Sequence, residues 1–435
     1  MKKYSRLIYP LIIMIVMPSV MVESAETPEL GDPYSQTMSL KTENIIGLSS
    51  YKRLQNYNQI NNNPLVSSYI SYLGNKLTRS ILDDSRKYTF FIVNSKQVNA
   101  FAIPGGFIGI NSGLITLTEN EAQLAGVVAH EISHVKLRHS AEMIKNSNMN
   151  SIPMWVGIMA GIFAGNAEAS MAAIRLGLGQ SAQMNINLIR ENEIEADDYG
   201  IEIMTRSNYD LKEMANLFKN MGKATGEIQR ELSYLSTHPM YENRISHIQN
   251  KSKLQNKPII NSTKDFYYIK AILEVESTSD INNSLKKLSR DSLLNLYKRS
   301  LLYFKKSDYK NVEREIVPIY NSNPNNLYIA ILYAQTLTEQ NNLDEALVVL
   351  NKIKNIYPHN SIISFTIAEI LIENNINLNY AEKLMIKHEK NYKLNPNFLR
   401  LISKLYTLQN NMYKSSVFLS DYYVLLNNID LAIEV

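Results

Sequence analysis

The five residues from His130 to His134 form an H-E-x-x-H pattern, the part of this sequence that could do chemistry. On a helix, residues four apart differ by about 40° around the axis, so both imidazoles project from one face and can share a metal ion. Glu131, about 100° from His130 on a helix, can take a proton from the attacking water and pass it to the leaving amine. The pattern therefore predicts a metal site that hydrolyses peptide bonds.

An exposed helix with incidental histidines is the alternative interpretation of this pattern. The surrounding residues are apolar: Leu124, Val127, Val128, Ile132 and Val135. Because buried His and Glu side chains need partners, an apolar setting favours a metal site over a chance match.

A catalytic zinc also needs a third protein ligand and one open position. His139 is one candidate, but the glycine that turns the chain back in H-E-x-x-H-x-x-G-x-x-H proteins is absent here. On a continued helix, His139 would point about 140° away from His134. We therefore expect His139 to be structural, or to contact the site from outside it.

The acidic segment 190–197 offers a better third ligand. Glu193 and Asp197 are four residues apart and share a helical face, whereas Glu195 faces elsewhere. The first acid can bind the metal while the second accepts the free N–H of a ligand histidine. A solvated acidic face is the alternative. With the upstream pattern, the segment predicts one Zn²⁺ per chain, bound by His130, His134 and Glu193.

Strands and helices must position these residues. Tyr88–Val93 is β-branched and aromatic, which predicts a strand. Phe101–Ile103 and Phe107–Ile110 flank a Pro-Gly-Gly turn and predict two more strands. A helix is expected from Glu119 to about residue 146 with Thr118 as its N-cap, and another from near Ala182 through residue 204.

A further helix is expected upstream of the strands, where Asn63-Pro64 supplies an N-cap followed by proline at the first helical position. Its residues at helical spacing are predicted to face the core: Leu65, Tyr69, Tyr72, Leu73 and Leu77.

The N-terminus has the layout of a secretory signal peptide. Lys2, Lys3 and Arg6 precede an apolar run of 16 residues, Leu7–Val22, and cleavage is expected after Ser24, with Ala25 as the alternative. A membrane span needs about 20 residues, so an uncleaved anchor is the weaker alternative. The chain has no cysteine, which excludes a lipoprotein anchor, disulfides and cysteine ligands.

Composition is that of a soluble globular protein, with 435 residues, 45% hydrophobic and 20% charged. Removal of residues 1–24 lowers the formal charge from +4 to +2, which gives no support for nucleic-acid binding. An apolar stretch of 13 residues, Ile152–Ala164, is too short to span a bilayer. It could be a buried helix, a flap over a cleft, or a peripheral membrane contact.

The C-terminal part carries a repeat. Pro324 and Pro358 are 34 residues apart, which is the period of a tetratricopeptide unit. Small residues recur where two antiparallel helices must cross: Ser300, Ala334, Ala346, Ala368 and Ala381. Three to four degenerate repeats are therefore predicted over 290–435, with a non-repeating helical bundle as the alternative.

Several short motifs occur in a fixed order between about residues 40 and 250. They are Asn99 to Gly106, Gly113-Leu114, His130 to His134, Glu193 to Asp197, and His238-Pro239 followed by Arg244-Ile245. Together they resemble the motifs of the HtpX/CAAX-prenyl-protease family of zinc peptidases, in its secreted, periplasmic branch with a C-terminal tetratricopeptide domain.

The resemblance implies a zincin-like, gluzincin-type site in which Glu193 is the third ligand and Asp197 supports a ligand histidine. It implies that the strand Phe107–Ile110, or its neighbour, forms the edge with which an extended substrate pairs. It also implies that His238, on a loop, either stabilises the oxyanion or occludes the open metal position. Arg244 would make a structural contact or salt bridge near that loop.

These inferences combine into an α+β metallopeptidase domain over 25–255, a linker with first helices over 256–289, and an all-α repeat domain. The expected function is that of a periplasmic zinc endopeptidase in a Gram-negative envelope. By resemblance, its substrates are unfolded or misassembled envelope proteins, and the repeats recruit substrate or an outer-membrane assembly machine. The alternative functions are a repeat-based chaperone or adaptor with little proteolysis, and a membrane-embedded peptidase.

Overall fold

A computed structural model of the chain describes residues 38–81, 86–145, 182–223, 234–239, 242–255 and 260–435. The predicted signal peptide, 1–24, and the apolar stretch, 152–164, lie outside these residues. Within the described ranges, every helix is too short or too polar to cross a bilayer.

The first part of the chain combines three strands with helices. Its elements are α1 (Leu40–Asn56), α2 (Pro64–Thr78), β1 (Thr89–Val93), β2 (Ala100–Ile103), β3 (Phe107–Asn111), α3 (Ser112–Leu117), α4 (Glu121–Lys136), α5 (His139–Lys145), α6 (Ala182–Arg206), α7 (Leu211–Lys223), α8 (Tyr234–Thr237) and α9 (Glu242–Ser252).

The strands form one sheet in the order β1-β3-β2, with β1 parallel and β2 antiparallel to β3. The predicted turn between β2 and β3 is confirmed, since Gly105 and Gly106 have φ values of 82° and 83°, a left-handed conformation that glycine adopts without a steric penalty. Because β3 is central, it cannot be the edge for an extended substrate. Its two neighbours, β1 and β2, are the edges of this sheet.

Helix α4 is almost entirely buried and packs against β2, α6 and α7. Its N-cap is Asn120, whose side chain accepts a hydrogen bond from the N–H of Gln123, so the prediction of Thr118 was wrong. The predicted helix to residue 146 is also interrupted. Arg138 adopts φ 59°, which ends α4 and starts a separate helix, α5.

Helix α2 begins as predicted, with the side chain of Asn63 accepting from the N–H of Leu65. Four of the five expected core residues are buried, but Tyr72 is 62% exposed, which corrects its assignment to the core. The buried positions follow one another at four-residue spacing from Leu65 to Leu77, and Tyr72 lies off that stripe.

The rest of the described chain is helical. Its elements are α10 (Lys264–Ser277), α11 (Ile281–Lys287), α12 (Leu293–Lys305), α13 (Tyr309–Ser322), α14 (Leu327–Glu339), α15 (Leu343–Ile356), α16 (Ser361–Glu373), α17 (Leu378–Tyr392), α18 (Pro396–Leu408), α19 (Met412–Leu425) and α20 (Ile429–Glu434).

These helices pack as consecutive pairs, α12 with α13 through α18 with α19. A left-handed residue lies in each tight turn within a pair, at Ser307, Asn341, Asn375 and Asn410, so the spacing is 34, 34 and 35 residues. The small residues expected at helix crossings are fully buried: Ser300, Ala334, Ala346, Ala368 and Ala381.

Candidate metal centre

Helices α4 and α6 bring the predicted ligands to one point. The Nε2 atoms of His130 and His134 are 3.0 Å apart. From α6, Glu193 places Oε2 3.3 Å from His130 Nε2 and Oε1 3.4 Å from His134 Nε2. The helices approach closely beside this point, where a Cβ added to Gly200 would lie 3.4 Å from the backbone nitrogen of His130.

His238, which follows the short helix α8, reaches the same point. Its Nδ1 lies 2.9 Å from Glu193 Oε1 and 3.3 Å from His130 Nε2. The four residues offer ligand atoms that all lie within 4.8 Å of one another, and three of the four are buried. A single ion could contact all four side chains.

Asp197 and Arg244 surround these residues on the side of α6. Asp197 Oδ1 lies 3.0 Å from His130 Nδ1, and Arg244 donates to both Asp197 oxygens, from Nε at 2.6 Å and Nη2 at 2.8 Å. The Nη1 of Arg244 is 2.7 Å from Glu193 Oε2 and donates to the carbonyl of Pro239. The arginine thus links both carboxylates to the segment that carries His238.

His139 contacts the site from outside the group of four. Its Nδ1 is 2.8 Å from His134 Nδ1, a contact that the left-handed turn at Arg138 makes geometrically accessible. Burial, with the neighbouring His134, lowers the pKa of His139 to about 2, so the ring is neutral. Glu195 has a 64% exposed side chain and lies 3.5 Å from His139 Nε2.

The site favours positive charge. Burial alone would lower the pKa of His130, but the carboxylates of Glu193 and Asp197 raise it to about 9. Burial would likewise raise the pKa of Glu193, yet His238, His130 and Arg244 hold it well below its usual range. Two imidazoles and a carboxylate are the ligand types of a catalytic zinc site.

Glu131 supplies an independent test of whether a metal fits. It is 1% exposed, and neither carboxylate oxygen has a hydrogen-bond partner among the described residues. Its Oε1 lies 3.3 Å from His238 Nε2. A buried carboxylate without hydrogen bonds is costly, so its position beside three converging ligands fits an added cation and water.

Tyr234, the first residue of α8, is a site residue that the sequence patterns missed. Its ring stacks on His238 with centroids 4.5 Å apart, and its buried hydroxyl has no partner among the described residues. Burial, with the charge of Glu131, raises the pKa of Tyr234 well above its usual value. Nothing in the local sequence marks this tyrosine, because it belongs to none of the motifs.

Two helices that direct a pair of histidines and a glutamate to one point, with a second glutamate beside them, define a metallopeptidase of the H-E-x-x-H class. Comparison with known proteins agrees. The profile of Peptidase family M48 matches residues 64–252.

Named relatives extend this match beyond the profile. Beta-barrel assembly-enhancing protease of Escherichia coli (strain K12) is 30% identical over 344 residues, which cover 77% of this chain and 70% of the relative. A putative beta-barrel assembly-enhancing protease of Vibrio cholerae is 32% identical over 231 residues, which cover 52% of this chain and 48% of the relative. Mitochondrial metalloendopeptidase OMA1 of Saccharomyces cerevisiae is 28% identical over 184 residues, which cover 41% of this chain and 50% of the relative.

The chain belongs to peptidase family M48, and it is a metalloendopeptidase. The family resemblance predicted from the motifs is confirmed. Its M48 domain is followed by a largely helical C-terminal region.

Proposed function

We propose that this chain is a zinc-dependent endopeptidase of the Gram-negative periplasm that acts in the assembly or quality control of outer-membrane proteins. His130, His134 and Glu193 would bind one Zn²⁺, and Glu131 would be the general base. The observation that carries the proposal is the convergence of three ligand side chains beside the carboxylate of Glu131, which has no hydrogen-bond partner among the described residues. The substrate class is inferred from relatives named for β-barrel assembly.

Zinc at this site would polarise the scissile carbonyl and lower the pKa of a water molecule. Glu131, whose oxygens have no hydrogen-bond partner among the described residues, would take the proton from that water and deliver it to the leaving amine. Asp197 accepts the Nδ1 proton of His130, which leaves the Nε2 lone pair for the metal. His139 supports His134 in the same way, through their Nδ1 atoms.

His238 suggests that the enzyme is latent in this conformation. A catalytic zinc keeps one position open for water, and His238 lies where it would fill that position. Cleavage then requires His238 to leave the ligand group. This closed arrangement also favours a second candidate function, a repeat-based chaperone or adaptor in which proteolysis is rare.

The helix pairs over 290–435 would be tetratricopeptide-like repeats, as supported by the regular spacing of their left-handed turns. They would follow the peptidase domain, 25–255, and the linker with first helices, 256–289. A cleft of about 720 Å³ separates the peptidase part, at Asn61 and Asn94, from the repeats, at Ile331 and Phe365. Unfolded envelope proteins or an outer-membrane assembly machine are the proposed partners, and nucleic acid is not. A peripheral membrane contact through the apolar stretch 152–164 remains part of the proposal.

The test compares the mature wild type with Glu131→Gln, His130→Ala and His238→Ala. We expect Glu131→Gln to keep zinc but lose cleavage of denatured casein, and His130→Ala to lose both. His238→Ala should cleave faster than wild type, because the occluding side chain is gone. Zinc content, casein cleavage and rescue of an outer-membrane assembly defect are the readouts.

His247→Ala is the matched control, because His247 lies at the surface, 2.6 Å from Asp198, and should behave as wild type. Full rescue by Glu131→Gln would favour the adaptor function. Zinc retained by His130→Ala would refute the ligand assignment.

A further inference from the structure

We propose that the hydroxyl of Tyr234 donates a hydrogen bond to the carbonyl oxygen of the scissile peptide as that oxygen gains negative charge. The inference rests on the proposed peptidase function and adds a catalytic residue to it. Three observations support this role: the position of the ring, its unpartnered hydroxyl, and the anchoring of its backbone.

The ring of Tyr234 lies within the candidate site. It stacks on the imidazole of His238, with centroids 4.5 Å apart and an interplanar angle of 27°. It meets His130 edge-on at 6.5 Å and stacks on Phe218 at 6.2 Å on another side. The tyrosine therefore touches the residue that must move when the site opens and faces a residue that remains at the metal.

The hydroxyl of Tyr234 differs from those of three other buried tyrosines, Tyr51, Tyr69 and Tyr209. Tyr69 and Tyr209 both donate to Glu121, and Tyr51 donates to the carbonyl of Leu394. Tyr234 is fully buried, yet its hydroxyl has no partner among the described residues. An unpaired buried hydroxyl is unfavourable in the folded protein, so the presence of a donor here points to a partner that arrives with the substrate.

The backbone of Tyr234 is tied to the sheet. Its N–H donates to the carbonyl of Val98 at 3.0 Å, two residues before the edge strand β2. His238 is attached one helical turn later, through its N–H to the carbonyl of Tyr234 at 2.8 Å. His238 can thus turn away from the metal ligands while Tyr234 stays anchored beside the strand with which an extended peptide would pair.

A donor that meets the oxygen only as charge develops stabilises the transition state and not the bound substrate. Its loss lowers kcat and leaves KM nearly unchanged. Removing one such preorganised donor typically lowers kcat about 10²- to 10³-fold. The same donor strengthens binding of a tetrahedral analogue but not of a ground-state peptide.

The test is Tyr234→Phe, in the wild-type and His238→Ala backgrounds. We expect kcat for a casein-derived peptide to fall about 10²-fold with KM within about twofold, and the affinity for a phosphinic peptide to fall by a similar factor. Zinc content and the Tm of the metal-free protein should not fall, because the lost hydroxyl has no partner.

Tyr209→Phe is the matched control, because it removes a buried hydroxyl that does donate, to Glu121 at 2.6 Å and away from the metal ligands. It should lower Tm and retain kcat. An unchanged kcat in Tyr234→Phe would overturn this inference and leave the proposed peptidase function standing. A loss of kcat accompanied by a lower Tm or zinc content would do the same. If neither wild type nor His238→Ala cleaves peptide, the proposed function fails and the inference fails with it.

Discussion

Asp197 Oδ1 lies 3.0 Å from His130 Nδ1. Arg244 donates two hydrogen bonds to the same Asp197 carboxylate. Because the arginine fixes the carboxylate, the carboxylate can fix which nitrogen of His130 carries the proton. The ring then presents a lone pair at Nε2, on the side where His134 and Glu193 converge. The metal ligand is thus oriented by a chain of three buried side chains.

We expect Asp197→Asn to lower zinc affinity about 10- to 100-fold. The amide keeps the shape of the side chain but replaces one acceptor with an N–H donor, which favours the tautomer of His130 protonated at Nε2. Competition with a chromophoric chelator measures the affinity. Asp198→Asn is the matched control, since its side chain is half exposed and pairs with His247. Equal zinc affinity in the two variants would contradict the role assigned to Asp197.

His139 is expected to support His134 in a similar way. Removing its Nδ1 in His139→Phe deprives His134 Nδ1 of a partner at 2.8 Å, so zinc affinity should fall about 10-fold or more. Since burial holds the pKa of His139 at about 2, the ratio of mutant to wild-type affinity should be constant from pH 6 to 8. A ratio that changes with pH across that range would show that His139 titrates there.

Much of this arrangement follows from local sequence. The strand pattern, the Pro-Gly-Gly turn and the Asn63 cap depend on neighbouring residues, and the spacing of Glu193 and Asp197 needs only a helix. In the C-terminal region, prolines and small residues recur at a spacing of about 34, which made the helix pairs there predictable.

The interruption after α4 could not be predicted in this way. Arg138 has a left-handed backbone without being glycine, and its guanidinium bonds Glu43 at 2.7 Å and the carbonyl of Met38, both about a hundred residues upstream. Tertiary contacts therefore set that turn and, with it, the position of His139. Tyr234 was missed for the same reason, because its role depends on stacking against His238 and not on sequence spacing.

Gly74 offers a test of how the sheet is packed. A Cβ added there would lie 2.3 Å from Cδ2 of Phe90, so the ring of this β1 residue occupies the space that a side chain on α2 would need. We expect Gly74→Ala to lower the free energy of unfolding by about 1–3 kcal/mol, measured by urea denaturation. Helix propensity alone predicts the opposite sign, since alanine is favoured over glycine by about 1 kcal/mol.

Gly222→Ala is the control for that substitution. This glycine is also helical, in α7, but no described atom lies within 4 Å of its added Cβ. Its replacement should leave stability unchanged or increase it. If both variants became more stable, close packing between α2 and β1 would be refuted.

Glu369, on α16, lines the cleft between the peptidase part and the repeats. Burial, with the charge of Glu373, raises its pKa above the ordinary value near 4.5, and Arg400 offsets only part of the rise. The folded protein therefore binds this proton more tightly than the unfolded chain. The stability from Glu369 is complete below its ordinary pKa and is lost as the pH rises through the raised value.

We therefore expect Glu369→Gln to have a higher Tm than wild type at pH 7.5, with the difference closing near pH 4. Glu382 has the opposite shift: burial would raise its pKa, but Gln409, Tyr406 and Lys414 lower it. Its contribution is present above the ordinary pKa and lost in acid, so Glu382→Gln should lower Tm at pH 7.5. Calorimetric scans at both pH values test the pair, and a lower Tm for Glu369→Gln at pH 7.5 would show that this carboxylate is stabilised in the cleft as an anion.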